Sequence, residues 1–307
     1  MIKKALAPSN PVTTRDRKGR KFISVVENAY NKAGLSEGEA QKVNDTPGLA
    51  DIVGNFIAEN RLSNRFKDEE VKSNYGYLSG YKPKDEDLDR QIAILQDLSP
   101  GLGSPNLDYL QKVKSGTVKT PKHSEKFFAV VNIWKDNHPI GFGATYSEAL
   151  KKVLSTIKQT RNFYNYREGQ IDEKHIRQSA HTQKFFQDLS EAQGDPDILI
   201  VPAQFGIRHR GRSVRRAREV FLSNEFGLGA FAAGIMILTH PERLQHYDDL
   251  WIDCAGDEWS FGAGGVFDRA PLFGFDDDGV EFVTAEVDHA GERFGSASGF
   301  FDVPLPQ

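Results

Sequence analysis

Apolar positions keep helical spacing in the first third of the chain, form β-branched runs in the middle, and alternate in short stretches near the end. Phe22, Val25, Val26 and Tyr30 stand at i, i+3, i+4 and i+8, which predicts an amphipathic helix ending near Gly34. Ser36 with Glu39 is a capping-box pair for a second short helix. Thr46 and Pro47 read as the N-cap and first residue of a third helix, with Leu49, Ile52, Val53, Phe56 and Ile57 as its buried stripe. Between Leu62 and Lys84 the periodicity lapses, and Tyr75, Tyr77 and Tyr81 lie among glycines in an expected ordered loop, where they either pin the loop down or stack on a ligand. A helix is expected over Asp85 to Leu98, then a connector from Ser99 to Ser124.

From Lys126 the pattern changes. FFAVVNIW predicts a strand, and Thr145 with Glu148 caps a helix that buries Ala149, Leu150, Val153, Leu154 and Ile157. Asp172 to about Gln193 reads as a helix, Asp197 to Phe205 (DILIVPAQF) as a buried strand, and Phe226 to Leu238 as a helix apolar on all sides, ended by Pro241. DLWIDCA, from Asp249, is another strand; Asp278-Gly279 marks a hairpin turn, and the Gly/Ser/Phe tail covers a sheet edge. The fold class expected is α/β, with α+β as the alternative: an N-terminal helical region, a mixed sheet with helical crossovers, and a β-rich C-terminal portion. The divisions expected are a flexible basic arm over 1–21, a helical region over 22–115, and an α/β domain over 122–307 with an acidic C-terminal portion.

Charge adds a polarity that the net value of −4 conceals. Residues 1–21 hold seven basic side chains against Asp16, whereas from Gln245 onward there are fourteen acids and only Arg269 and Arg293. A single cysteine, Cys254, excludes an internal disulfide framework, and its acidic, apolar neighbours mark it as a buried thiol. No apolar run reaches about 18 residues and no apolar secretory segment stands at the start, so the expectation is a cytoplasmic protein without a membrane partner.

The candidate chemistry centres on residues 206–219, where six arginines follow the strand ending at Phe205. A strand leading through Gly206 and Gly211 into a helix capped by Ser213 turns backbone N–H groups toward an anion, and Arg208, Arg210, Arg212, Arg215 and Arg216 supply guanidinium donors suited to phosphate. The helical wheel places Val214, Ala217, Val220 and Phe221 inward, Arg212, Arg215 and Arg216 outward, and Arg218 at the margin. Arg161, Tyr164, Tyr166 and Arg167 interleave rings with positive charge, as single-stranded nucleic acid binding requires, and are the accessory ligand-binding candidates. Arg208-His209-Arg210-Gly211 is similar to the Arg-His-Gly signature of histidine phosphatases, which would make His209 a phosphoryl acceptor, but Arg210 intervenes and the segment lies in mid-chain.

A second cluster runs from His240 to Glu258. Asp253, Asp257 and Glu258 are its candidate catalytic and metal-holding carboxylates, although no standard metal spacing is present. Three readings follow. The first is a protein binding a phosphate-bearing partner, nucleic acid foremost, through the arginines. The second is a metal-dependent hydrolase of phosphate esters. The third is a non-catalytic structural or interaction protein in which the arginines meet carboxylates internally. The first and third need no cofactor; the second needs a divalent ion.

Overall fold

The computed structural model describes residues 13–59, 65–83, 87–262 and 265–301. It divides into two units, residues 1–53 and 54–307. In the first, α1 (Arg17–Lys32) starts five residues before Phe22, so Arg17 to Lys21 of the stretch expected to be a flexible arm are helical, while residues 1–12 lie outside the described part. α2 (Glu37–Asn44) carries the expected capping box: Ser36 accepts from the Glu39 N–H, and Glu39 reaches back to the Ser36 N–H. α3 (Leu49–Glu59), which runs across the division, begins later than Thr46-Pro47 implied, because Pro47 and Gly48 form a turn with Gly48 at φ 73°. Its expected buried stripe is exposed: Leu49, Ile52, Val53, Phe56 and Ile57 all stand open, as do Val25, Val26 and Tyr30 of α1. Helical spacing was there, but so short a segment has too few apolar side chains to enclose a core.

The second unit holds two sheets. The first is antiparallel in the order β1-β4-β11-β5, formed by β1 (Lys126–Val131), β4 (Ile198–Gln204), β5 (Glu225–Gly227) and β11 (Ser298–Phe300). β1 and β4 are buried along their whole length, which is why both read as unbroken apolar runs. The second sheet runs β10-β6-β8-β7-β3, with β9 beside β8 and β2 beside β9. Its strands are β2 (Phe163–Asn165), β3 (Ile176–Gln178), β6 (Trp251–Asp253), β7 (Asp257–Trp259), β8 (Arg269–Asp276), β9 (Gly279–Glu286) and β10 (Phe294–Ser296). The antiparallel β8–β9 hairpin turns on Asp277-Asp278, one residue earlier than expected, with Asp277 at φ 49°. The C-terminal tail does more than cover an edge: β10 edges the second sheet, and after Ala297 the chain enters the first, where β11 lies between β4 and β5.

Helices α4 (Leu88–Leu98), α5 (Leu107–Lys114), α6 (Tyr146–Thr160), α7 (Ala180–Ala192) and α9 (Ala230–Thr239) cover these sheets. The buried Gln91 of α4 acts as a backbone surrogate beside β1, donating to the Phe127 carbonyl and accepting from the Ala129 N–H. α5, capped by Asn106, lies in the stretch expected to be a connector. α6 keeps both the expected cap and the expected buried face. α7 begins eight residues later than Asp172, because Ile176 to Gln178 pair with Trp259 to Asp257 instead.

α9 is enclosed over nine of its ten residues. A Cβ on Gly234 would come within 2.6 Å of Val153 Cγ1 and 3.5 Å of the Phe273 ring. Gly234→Leu is therefore expected to destabilise the fold by roughly 1–3 kcal/mol through overpacking, measured as a fall in Tm; an unchanged Tm would argue against this contact. Among the described residues no helix is long and apolar enough to cross a membrane.

Candidate functional site

Beyond β4 the chain enters the arginine segment over a rigid base. Gly206, at φ 124°, passes so close to Gly295 that a Cβ there would lie 2.5 Å from its carbonyl oxygen. Gln204 accepts from the Gly206 and Arg208 N–H groups and donates to the Ser296 carbonyl and the Ser298 hydroxyl. Beside it lies Glu225, fully buried, accepting from Arg208 Nε (3.0 Å), His209 Nε2 (2.8 Å), Ser298 Oγ (2.7 Å) and the Leu222 N–H (3.1 Å).

An arginine can only donate, so the 3.1 Å contact from Arg212 to His209 Nδ1 leaves that nitrogen unprotonated and directs the Nε2 proton to Glu225. Burial lowers the His209 pKa in the same direction, opposed by Glu225. The imidazole is thus neutral, and the Glu225 charge is answered by Arg208. Burial pulls the Glu225 carboxyl upward, but the hydrogen bonds from His209 and Ser298 and the charge of Arg208 outweigh this and hold it below its usual range. His209 is buried with both ring nitrogens engaged, which removes it as a phosphoryl acceptor or catalytic group.

Ser213 caps α8 (Val214–Glu219) as expected, accepting from the Arg216 N–H. The arginines then turn to acids, chiefly ones upstream. Residues 69–71 lie along the segment, with Val71 N–H donating to the Gly211 carbonyl and Ser213 N–H to the Glu69 carbonyl. Arg215 pairs with Glu69 and reaches Asp288 at 3.6 Å; Arg216 bonds Glu70 and, at 2.9 Å, Glu219; Arg212 stands 3.4 Å from Glu70. The hydrogen bond from Arg215 keeps the Glu69 carboxyl below its usual range. Arg216, expected outward, is buried, and Arg218 points inward to the Ala255 and Asp257 carbonyls. Of the fourteen C-terminal acids, Asp288 is the one that ion-pairs with this segment among the described residues.

Arg210 differs. It is exposed, donates to the Tyr75 carbonyl at 2.9 Å, and has no carboxylate partner among the described residues. Its backbone pairs with Gly295, two residues after Arg293. The Arg293 guanidinium lies 4.0 Å above the ring of Tyr247, 5.4 Å from that of Trp251 and 5.8 Å from that of Tyr75. Tyr247 is itself exposed. Sequence spacing hides this arginine–aromatic surface, because four separate segments assemble it; the Gly-flanked Tyr75 was its one local signal. Tyr77 and Tyr81 instead anchor their loop by donating to the buried Glu125.

The accessory residues stand elsewhere. β2, with Tyr164 in it and Tyr166 just after it, is separated from β10 by β6, β8 and β9. Tyr164 donates to Asp278 at 2.9 Å, and Tyr166 lies beside Glu281, whose charge pushes its phenol up. Arg161 donates to the Pro241 and Leu244 carbonyls, and Arg167 lies over the Phe261 ring. Rings facing carboxylates, with one arginine turned to backbone carbonyls and the other over an aromatic ring, do not form a phosphate-tracking strip with residues 208–216.

The acidic cluster also disperses. Asp257 and Glu258 lie in β7, not in a turn after the preceding strand. Both Asp257 oxygens accept from Tyr146 (2.8 and 2.7 Å), one also accepts from the Ala230 N–H, and burial pushes this carboxyl up to about 7. Glu258 pairs with Arg177 at 2.7 Å. Asp253 is buried and likewise raised to about 7. Asp249 is used up by the N–H groups of Leu78, Ser79, Gln245 and His246. Among the described residues no three His, Cys, Asp or Glu side chains assemble to hold a metal ion, so Asp253, Asp257 and Glu258 do not form the expected site. Cys254 is buried, and burial followed by its acidic neighbours raises its thiol pKa.

No protein family, curated protein or solved structure matches the chain.

Proposed function

We propose that this is a non-enzymatic binding protein that takes single-stranded nucleic acid on the surface formed by Tyr75, Arg210, Tyr247 and Arg293. The observation that carries the reading is the Arg293–Tyr247 stack at 4.0 Å beside an exposed arginine without a carboxylate partner among the described residues. Stacked rings accept bases of any sequence, while guanidinium groups meet phosphates. Arg208, Arg212, Arg215 and Arg216 are assigned to the frame, since their charge is already matched by acids.

Two cations without a carboxylate partner among the described residues imply modest, salt-sensitive affinity, with a log–log slope of about −1.4 for a single strand. A fluorescence-anisotropy titration of single- and double-stranded DNA and RNA at two salt concentrations tests this. Single strands are expected to bind more tightly than duplexes, Arg210→Ala with Arg293→Ala to remove most of the salt slope, and Tyr247→Ala to weaken binding at unchanged slope. Absence of binding at low salt, or binding unaffected by the paired substitution, overturns the reading.

The ion pairs favour a second reading, an interaction protein whose arginines act only to hold residues 65–73 against α8. Under it Arg212, Arg215 and Arg216 to Ala lowers Tm and no nucleic acid binds.

A further inference from the structure

On another part of the second unit, two cavities of about 340 and 430 Å³ adjoin at Trp134, Lys135 and Gln187, forming one groove along α7. Their volumes fall in the range of roughly 300–1,000 Å³ typical of ligand sites. Trp134 is half-buried, with one face stacked on Phe186 (centroids 3.6 Å apart, rings 3° from parallel), and its remaining surface borders both cavities. Its indole N–H donates to Gln178 Oε1 at 2.6 Å, which fixes the ring and leaves the Gln178 amide nitrogen, itself buried, without an acceptor among the described residues. Gln183 and Gln187, one helical turn apart, are exposed, and their side-chain amides make no hydrogen bond among the described residues.

The positive charges of the walls are occupied. Lys135 bonds Asp197, and Arg177 holds Glu258 while lying 3.9 Å from the Phe267 ring. Asp136, Glu173 and Glu191 remain on the rim and repel a phosphate-bearing ligand. What the groove offers is therefore an indole platform with planar amides that donate and accept side by side. A pyranose chain matches both: vicinal hydroxyls meet the amides, and a patch of ring C–H groups meets the indole.

We propose that this groove binds a neutral oligosaccharide, a ligand class separate from that assigned to the Arg210–Arg293 surface. An extended peptide, which the short β3 edge would pair with, is the competing occupant. The test is an NMR titration of the isotope-labelled full chain with maltotetraose, cellotetraose, chitotetraose and mannotetraose, and with tetra-alanine. At least one sugar is expected to shift the Trp134 indole signal and the side-chain amides of Gln178, Gln183 and Gln187. Gln183→Ala and Gln187→Ala, both at exposed positions and so compatible with folding, are each expected to weaken that binding about ten-fold with the backbone spectrum preserved. No response to any sugar at millimolar concentration, binding undiminished in both variants, or the same shifts with tetra-alanine alone overturns the proposal.

Discussion

Glu225→Ala is expected to cost about 3–5 kcal/mol of stability, measured by denaturant unfolding, because one carboxylate serves four donors in an interior position. Its removal leaves Arg208 as a partly buried charge without its carboxylate and His209, Ser298 and the Leu222 N–H without an acceptor. The effect also has a pH signature. The folded carboxyl lies below its ordinary 4.5, so its contribution is complete above the ordinary value and is lost as pH falls through the lower, folded value. Glu70→Ala supplies the contrast: its side chain is about a third exposed, and loss of the Arg212 and Arg216 contacts there is expected to cost only about 1 kcal/mol. Equal effects of the two substitutions would show that burial does not decide the strength of this network.

These contacts mark the limit of what was legible in the chain. The apolar runs of β1 and β4, the capping boxes at Ser36 and Thr145, the Ser213 cap and the buried face of α6 are local patterns, and each appears in the structure. Failures came where a long-range partner decides. Ile176 to Gln178 look like part of a helix until Trp259 is seen beside them, and Phe163 to Asn165 look like a loop until Val280 to Phe282 pair with them. The arginine segment invited a choice between an external ligand and the acidic C-terminal portion. In the structure the carboxylates that meet these arginines are largely Glu69, Glu70, Glu219 and Glu225, because the loop over 65–73 crosses α8, and no charge count along the sequence conveys a crossing. Arg293 illustrates the same point in reverse. In the sequence it stands out only as one of the two bases of the acidic portion, yet folding sets it against Tyr247 and Trp251.

Asp253→Asn is expected to stabilise the protein above neutral pH. Burial alone moves this carboxyl from 3.8 to about 7, and no side-chain hydrogen bond among the described residues offsets it. A carboxyl whose folded pKa is raised contributes fully below its unfolded value, and that contribution is lost as pH rises through the folded value. The native chain is therefore expected to lose stability between about pH 4 and pH 7, by up to about 4 kcal/mol from this group. Asparagine keeps the shape and carries no charge, so the variant is expected to exceed the native chain by about 2–4 kcal/mol near pH 8, the lower figure allowing for burial of the amide itself. Near pH 4 the two should be equal or the variant slightly weaker. Asp257 separates this cause from a general effect of acidic residues. It is raised over the same window, but its oxygens accept from Tyr146 and the Ala230 N–H, so Asp257→Asn removes hydrogen bonds as well as charge and is expected to destabilise at both pH values. Denaturant unfolding of the three proteins near pH 4 and pH 8 distinguishes the cases. Equal stability of the native chain and Asp253→Asn at the higher pH would mean that Asp253 finds a compensating partner or water there, and that the interior beneath β6 tolerates a carboxylate.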